Sequence, residues 1–222
     1  MSRSPVWLFD LDDTLHSASA HIFPHINRSM TEYIMRHLTV DEGEANALRT
    51  QYWHRYGATL LGLMRHHGTD PAHFLRETHR FDRLHDLVVF DRALRHRLRR
   101  LPGRKIVFSN GPADYANAVL SIMGIRRALD GVFAIEHMRL QPKPGHRAFR
   151  HLLADHRLQP SRCILVEDSL ANLKAAKRLG MRTVWISRAS GRPAYVDLKL
   201  PSVLALPRAV GRLGISGSTS GA

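Results

Sequence analysis

The 222-residue chain has a single cysteine, Cys163, so no intrachain disulfide can staple it. No apolar run comes near the ~18 residues that a membrane span needs, which excludes a helical membrane protein. Aromatic residues make up only 7% of the chain. None is interleaved with the densest basic run, DRALRHRLRRLPGRK (91–105), where a single-strand binder would place rings for base stacking. Nucleic acid is therefore not expected as a partner. The sequence also lacks a GxxxxGK[ST], a GxSxG and an HExxH motif, which removes P-loop, α/β-hydrolase and zincin chemistry. Internal repeats are absent. Acidic residues are scarce, 19 against 33 basic ones, for a formal net charge of +14.

What is there is ordinary for a globular domain: 44% hydrophobic and 23% charged residues. All but five of the basic residues are arginine, and most are scattered, as on a solvated surface or one that draws anionic substrates. The opening MSRSPVWLFDLDDTL meets carboxylates too soon for a signal peptide, so the cytoplasm is the expected compartment.

Five short apolar runs read as strands: VWLFDL (6–11), KIVFSN (105–110), VFAIE (132–136), CILVED (163–168) and RTVWIS (182–187). Helical patterns lie between them, in PADYANAVLSIMG, PGHRAFRHLLADH and SLANLKAAKRLG, with Gly124 and Gly180 placed as C-caps. Near-continuous apolar strands alternating with helices predict an α/β fold, a doubly wound parallel sheet covered on both faces. More than 80 residues separate the first two runs, far beyond an ordinary crossover. They read as four helices: HIFPHINRSMTEYIMRHL, DEGEANALRTQYWHRYG, TLLGLMRHHG and DPAHFLRET, the last with Asp70 as N-cap and Pro71 at N1. The expected organisation is a core of residues 1–16 and 88–205, a helical cap of 17–87, and a flexible tail of 206–222.

In a doubly wound sheet, ligands bind at the carboxyl ends of the strands. There the sequence places Asp10, Asp12, Asp13 and Thr14 after the first run, Ser109, Asn110 and Gly111 after the second, Lys143 in the QPKPG loop after the third, and Glu167, Asp168 and Ser169 after the fourth. Singly, each reads equally well as a turn or a helix cap. Together, and in order, they read as a site. Carboxylates gathered at one edge repel unless a cation sits among them, and oxygen ligands of this kind suit Mg²⁺.

FDLDDTL, VFSNG, the lysine of QPKPG and LVEDSLANL together resemble the four motifs of the haloacid dehalogenase superfamily of phosphotransferases. The resemblance implies a Rossmann-like core with a helical cap inserted after the first strand. It implies Asp10 as a nucleophile that forms an aspartyl-phosphate, and Asp12 as general acid and then base. Ser109, Asn110 and Lys143 become phosphate ligands. Asp10, Asp168 and the carbonyl of Asp12 surround Mg²⁺, with Glu167 behind them. Asp12, where dehalogenases carry a small apolar residue, points to phosphatase chemistry. Asn172 departs from the pattern, because many relatives carry an acid there.

A finer resemblance lies in Tyr56-Gly57-Ala58-Thr59-Leu60-Leu61-Gly62-Leu63, which is similar to a stretch of the pyrimidine 5′-nucleotidase branch. It implies hydrolysis of nucleoside 5′-monophosphates such as UMP or CMP, with His16, Tyr56 and Thr59 as candidates for touching substrate. Read from the residues alone, Gly57 ends one helix and the leucines pack the next. The alternatives are a sugar-phosphate phosphatase or phosphomutase of the same superfamily, or a basic protein that holds RNA or another anion without catalysis. His21 and His25 share a helix face at zinc-compatible spacing, but no Cys or carboxylate joins them. With His66, His67 and His146 they read as surface or substrate-facing histidines, and Cys163 reads as core.

Overall fold

The computed structural model describes residues 4–214. The chain begins with β1 (Val6–Phe9) and continues through α1 (Ile22–Leu38), α2 (Glu42–Tyr56), α3 (Thr59–His67), α4 (Pro71–Thr78) and the short α5 (Leu84–Leu87). It returns by α6 (Leu94–Arg99) to β2 (Arg104–Phe108), α7 (Ala113–Ile122), β3 (Gly131–Phe133) and α8 (His146–Asp155). Then come β4 (Cys163–Glu167), α9 (Leu170–Arg178), β5 (Arg182–Ile186), β6 (Leu198–Leu200) and α10 (Leu206–Ala209). No helix among the described residues is long and apolar enough to cross a membrane.

All six strands are parallel, in the order β3-β2-β1-β4-β5-β6. The chain builds outward from β1 to β3, then restarts with β4 on the other side of β1, so the topological switch lies at the central strand. Register is tight there: Phe9 lies opposite Val107 of β2 and Val166 of β4. Trp7, Leu8 and Phe9, like Ile106 to Phe108 and Cys163 to Val166, are buried, as a sheet covered on both faces requires. The Trp7 indole donates to the Pro102 carbonyl at 2.8 Å, so its buried N–H is satisfied.

The described chain divides into two units, residues 4–17 with 89–214, and Ala18–Val88. The second is the helical insertion. Its helices start where the sequence supplies caps: Asp41 accepts from the Glu44 amide, and Asp70 from those of Ala72 and His73. Gly57 closes α2 in the left-handed region, at φ 81°. The α2–α3 hairpin buries Tyr52, Leu60 and Leu63, and Gly62 lies directly against Tyr52, where a Cβ would overlap the Tyr52 Cβ and ring. This gives the glycine of the 56–63 stretch a packing reason. Gly62→Ala is expected to destabilise the insertion by about 1–3 kcal/mol through overpacking. Urea unfolding followed at the insertion's own tryptophan, Trp53, checks it; an unchanged midpoint would contradict the packing.

Two expectations are corrected. A sixth strand, β6, follows β5 and is held by Asp197, which accepts from the Thr183 amide at 2.9 Å and from Lys177 at 2.5 Å. The chain from 206 was expected to be a flexible tail. Instead Leu206, Ala209, Val210 and Leu213 are buried, so residues 206–214 are part of the core unit; residues 215–222 lie outside the described residues.

Candidate active site

β1 runs out at Asp10, whose amide still donates to the Val166 carbonyl of β4 at 3.0 Å, so its carboxylate sits at the sheet edge. Lys143 enters the same edge, almost fully buried. Its ammonium donates to Asp10 Oδ1 at 2.7 Å, Glu167 Oε2 at 2.9 Å and the Phe108 carbonyl at 2.6 Å. Those bonds use all three of its donors. Burial alone would lower its pKa, but the two carboxylates override that and hold it above its ordinary value.

The negative charge here exceeds that one ammonium. Burial, and then repulsion from Glu167, raise the Asp10 carboxyl well above its ordinary value despite Lys143. Burial, followed by hydrogen bonding and repulsion from Glu167, pushes Asp168 up to about 7. Glu167 goes the other way. Burial would raise it, but Lys143 and the hydrogen bonds it receives hold it below its ordinary value. Its Oε2 also accepts from Asn172 at 3.0 Å and its Oε1 from the Ser169 amide at 3.2 Å. Asn172 is thus a donor to Glu167, which explains an amide where an acid would add to the repulsion.

Asp10, Glu167 and Asp168 offer carboxylate oxygens within 4.8 Å of one another. Hard oxygen donors, close together and with charge to spare, fit a small divalent cation such as Mg²⁺. Because the Glu167 oxygens are engaged by Lys143, Asn172 and Ser169, Asp10 and Asp168 are the better direct ligands. Thr14, also buried, leans its hydroxyl toward Asp168 Oδ1 at 3.5 Å. The Trp185 indole fixes the Asp168 carbonyl at 2.9 Å.

Ser109 is buried, and its Oγ accepts from the Gly111 amide at 3.0 Å, which leaves the hydroxyl proton to donate. Asn110 was expected to bind phosphate. Its side chain is locked to the backbone of Lys143, donating to the carbonyl at 3.0 Å and accepting from the amide at 2.8 Å, so a phosphate contact from Asn110 would come from its backbone. It positions the lysine.

Asp12 lies beside this cluster, with its side chain 16% exposed. His16, expected to touch substrate, is buried and directs Nε2 to Asp12 Oδ1 at 2.9 Å. The Tyr115 hydroxyl donates to the same oxygen at 2.6 Å. Burial first, and then the neighbouring Asp12 charge, raise the Tyr115 pKa far above its ordinary value, so it stays a donor. Sequence reasoning missed Tyr115. The available signal was its place in the first turn of the helix that leaves the Ser109 loop, at the carboxyl edge of the sheet.

In the insertion, Thr59 is buried and its hydroxyl donates to the Arg49 carbonyl at 2.9 Å, so it ties α3 to α2 and is corrected to a structural role. Tyr56 is half-buried, its hydroxyl 2.6 Å from His66 Nε2, with the Arg55 and Arg65 guanidiniums 5.4 and 5.8 Å from its ring centre. His25 bonds the Arg80 carbonyl at 2.9 Å, and His67 the Tyr52 hydroxyl at 2.8 Å.

Residues 6–180 match the family of haloacid dehalogenase-like hydrolases. The chain is 24% identical over 192 residues to phosphate metabolism protein 8 of Saccharomyces cerevisiae, covering 79% of this chain and 59% of that protein. It is 27% identical over 104 residues to the validoxylamine A 7′-phosphate phosphatase of Streptomyces hygroscopicus subsp. limoneus, covering 47% and 48% of the two chains. This chain therefore spans about half to three fifths of the length of these relatives. Among solved structures, a HAD phosphatase from Thermococcus onnurineus superposes with a TM-score of 0.65 at 20% identity, covering 93% of this chain and 98% of that one.

Proposed function

The chain belongs to the haloacid dehalogenase-like hydrolases, and from that premise we propose that it is a phosphomonoesterase acting through an aspartyl-phosphate on Asp10, with pyrimidine nucleoside 5′-monophosphates as substrates. The observation that carries the reading is the Lys143 ammonium held between Asp10 and Glu167, with Asp12 two residues on from Asp10. A carboxylate nucleophile, a proton donor and a buried cation then share one sheet edge.

In the first half-reaction an Asp10 carboxylate oxygen attacks phosphorus, and the bond from phosphorus to the leaving alcohol breaks. Asp12 gives its proton to the departing oxygen. In the second half-reaction Asp12 takes a proton from water, the water oxygen attacks phosphorus, and Asp10 is released with inorganic phosphate. Lys143 and the Ser109 hydroxyl stabilise the charge on the phosphoryl oxygens. Mg²⁺ held by Asp10, Asp168 and the Asp12 carbonyl would neutralise phosphoryl charge and keep Asp10 ionised.

The pyrimidine reading rests on the similarity of residues 56–63 to the pyrimidine 5′-nucleotidase branch, with Tyr56 as the residue that would stack on a base. Cys163 is buried, and burial pushes its thiol up to about 11, so it is core and not a reactive group. The similarity to a phosphatase of validoxylamine A 7′-phosphate favours a second reading, a sugar-like phosphate as substrate. Phosphate release from UMP, CMP, purine monophosphates, sugar phosphates and p-nitrophenyl phosphate separates the two. The highest kcat/KM is expected for UMP or CMP, with activity lost in EDTA and restored by added magnesium. A preference for sugar phosphates would replace the nucleotide reading, and full activity in excess chelator would remove the metal.

A further inference from the structure

Asp12 has one oxygen that is crowded and one that is not. Oδ1 faces both the Tyr115 hydroxyl at 2.6 Å and His16 Nε2 at 2.9 Å. Oδ2 has no hydrogen-bond partner among the described residues. A carboxylate oxygen only accepts, so His16 presents its Nε2–H there. Two donors converging on Oδ1 leave that oxygen no room for a proton of its own. Oδ2 is the oxygen left open to a substrate.

Both donors are buried, and His16 is held by packing, since its Nδ1 has no hydrogen-bond partner among the described residues. His16 has no exposed side-chain surface. Tyr115 is buried in the first turn of α7, where the Ala113 amide donates to Glu136 Oε2 at 3.0 Å. The ring of Tyr115 lies close over Gly111, where a Cβ would come within 3.1 Å of Cδ1. The glycine that ends the Ser109 loop is thus the seat of the ring. The terminal torsion of an Asp side chain is broad, and a proton donor that swings loses much of its advantage. Two fixed donors on one oxygen remove that freedom.

We infer that Tyr115 and His16 are positioning residues that hold Oδ1 of Asp12 and reserve Oδ2 for proton transfer to the leaving alcohol. The inference rests on the reading of Asp12 as the general acid. The experiment separates the two. kcat/KM reports the first half-reaction, in which an alkyl phosphate needs a proton on its leaving oxygen and p-nitrophenyl phosphate does not.

Asp12→Asn should lower kcat/KM for UMP (or the best alkyl phosphate) by about 10²–10⁴ and lower that for p-nitrophenyl phosphate far less, while kcat falls on both because Asp12 is also the base of the second half-reaction. That control tests the reading, and equal losses in kcat/KM would end it together with the inference. With that control in hand, Tyr115→Phe, which removes one oxygen atom, should cost UMP roughly 10–100-fold and p-nitrophenyl phosphate under about 3-fold, a fraction of the full general-acid effect. KM should stay within about 2-fold, as for a group acting only in the transition state. His16→Leu should show the same selectivity, and His16→Gln, whose amide N–H reaches to a similar distance, should restore most of it. Equal losses on both substrates, or none on either, would overturn the inference while Asp12 keeps its role. If Tyr115→Phe fails to fold, the His16 pair decides it alone.

Discussion

Asp10→Asn is expected to lower phosphate release by at least about 10³-fold while the protein stays folded, because the substitution removes the attacking charge and little else. The side chain keeps its shape, and its amide oxygen can still accept from Lys143. Stability follows from the raised carboxyl pKa of Asp10, which comes first from burial and then from Glu167. A folded-state pKa above the unfolded one contributes stability that is fully present below about 3.8 and is lost as pH rises through the folded value. At neutral pH the Asp10 charge is thus a burden on the fold. The Asn variant should have an unfolding midpoint equal to or above that of the wild type at pH 7, with the advantage vanishing toward pH 4. Incubation with labelled substrate should leave the wild type, but not the variant, with acid-stable label. Wild-type turnover in a folded Asp10→Asn protein would remove Asp10 from the nucleophile's place.

Why some of this was legible in the sequence and some was not has physical reasons. β1 and β4 are buried throughout, and β2 and β5 over their last three and four residues, so they appear as short apolar runs, and the polar residues that end them mark the carboxyl edge. The meeting of Asp10, Lys143 and Glu167 follows from that edge and from the switch in strand order at β1. β6 has only three residues. It is held in place by Asp197, which burial alone would titrate higher but which Lys177 and the Thr183 amide keep below its ordinary value. Periodicity carries no trace of such a tie. Leu206, Val210 and Leu213 were hidden by the Gly- and Ser-rich residues that follow them. Asn110 and Thr59 share one reason why their side-chain partners were not legible. Both stand in motif stretches, yet their side chains bond backbone groups at positions that only the folded chain brings close. His16 was singled out for its nearness to the DLDDTL segment and proved to face back into it. Tyr115 was not singled out, because an aromatic ring inside an apolar helix face looks the same whether its hydroxyl is idle or bonded.

Lys143→Met should cost both the fold and the activity, and the two losses have one cause. The methionine replaces the aliphatic stem at similar volume, so packing is largely kept and the missing ammonium dominates. Its removal leaves Asp10 and Glu167 facing each other across a buried edge, and leaves the Phe108 carbonyl without that donor. Breaking a buried ion pair by deleting one partner costs about 3–5 kcal/mol. The sign of the pH dependence then identifies the cause. In the variant both carboxyls lose the cation that lowers their pKa, so their folded values rise. Carboxyls with raised folded pKa values weigh on stability at pH 7 and stop doing so as acid protonates them. The deficit relative to wild type should therefore be largest near pH 7 and shrink toward pH 5, as read from urea midpoints at constant m-value. A deficit that stays flat over that range would mean that lost packing, not unpaired charge, destabilises the variant. Magnesium offers a second reading of the same charge balance. If Asp10 and Asp168 bind it, millimolar Mg²⁺ should recover part of the lost stability, since a ligand that binds only the folded state stabilises it by mass action. It should not recover turnover, because the ammonium to which the proposed mechanism assigns the phosphoryl charge is still missing. Recovered stability without turnover would separate the lysine's structural role from its catalytic one.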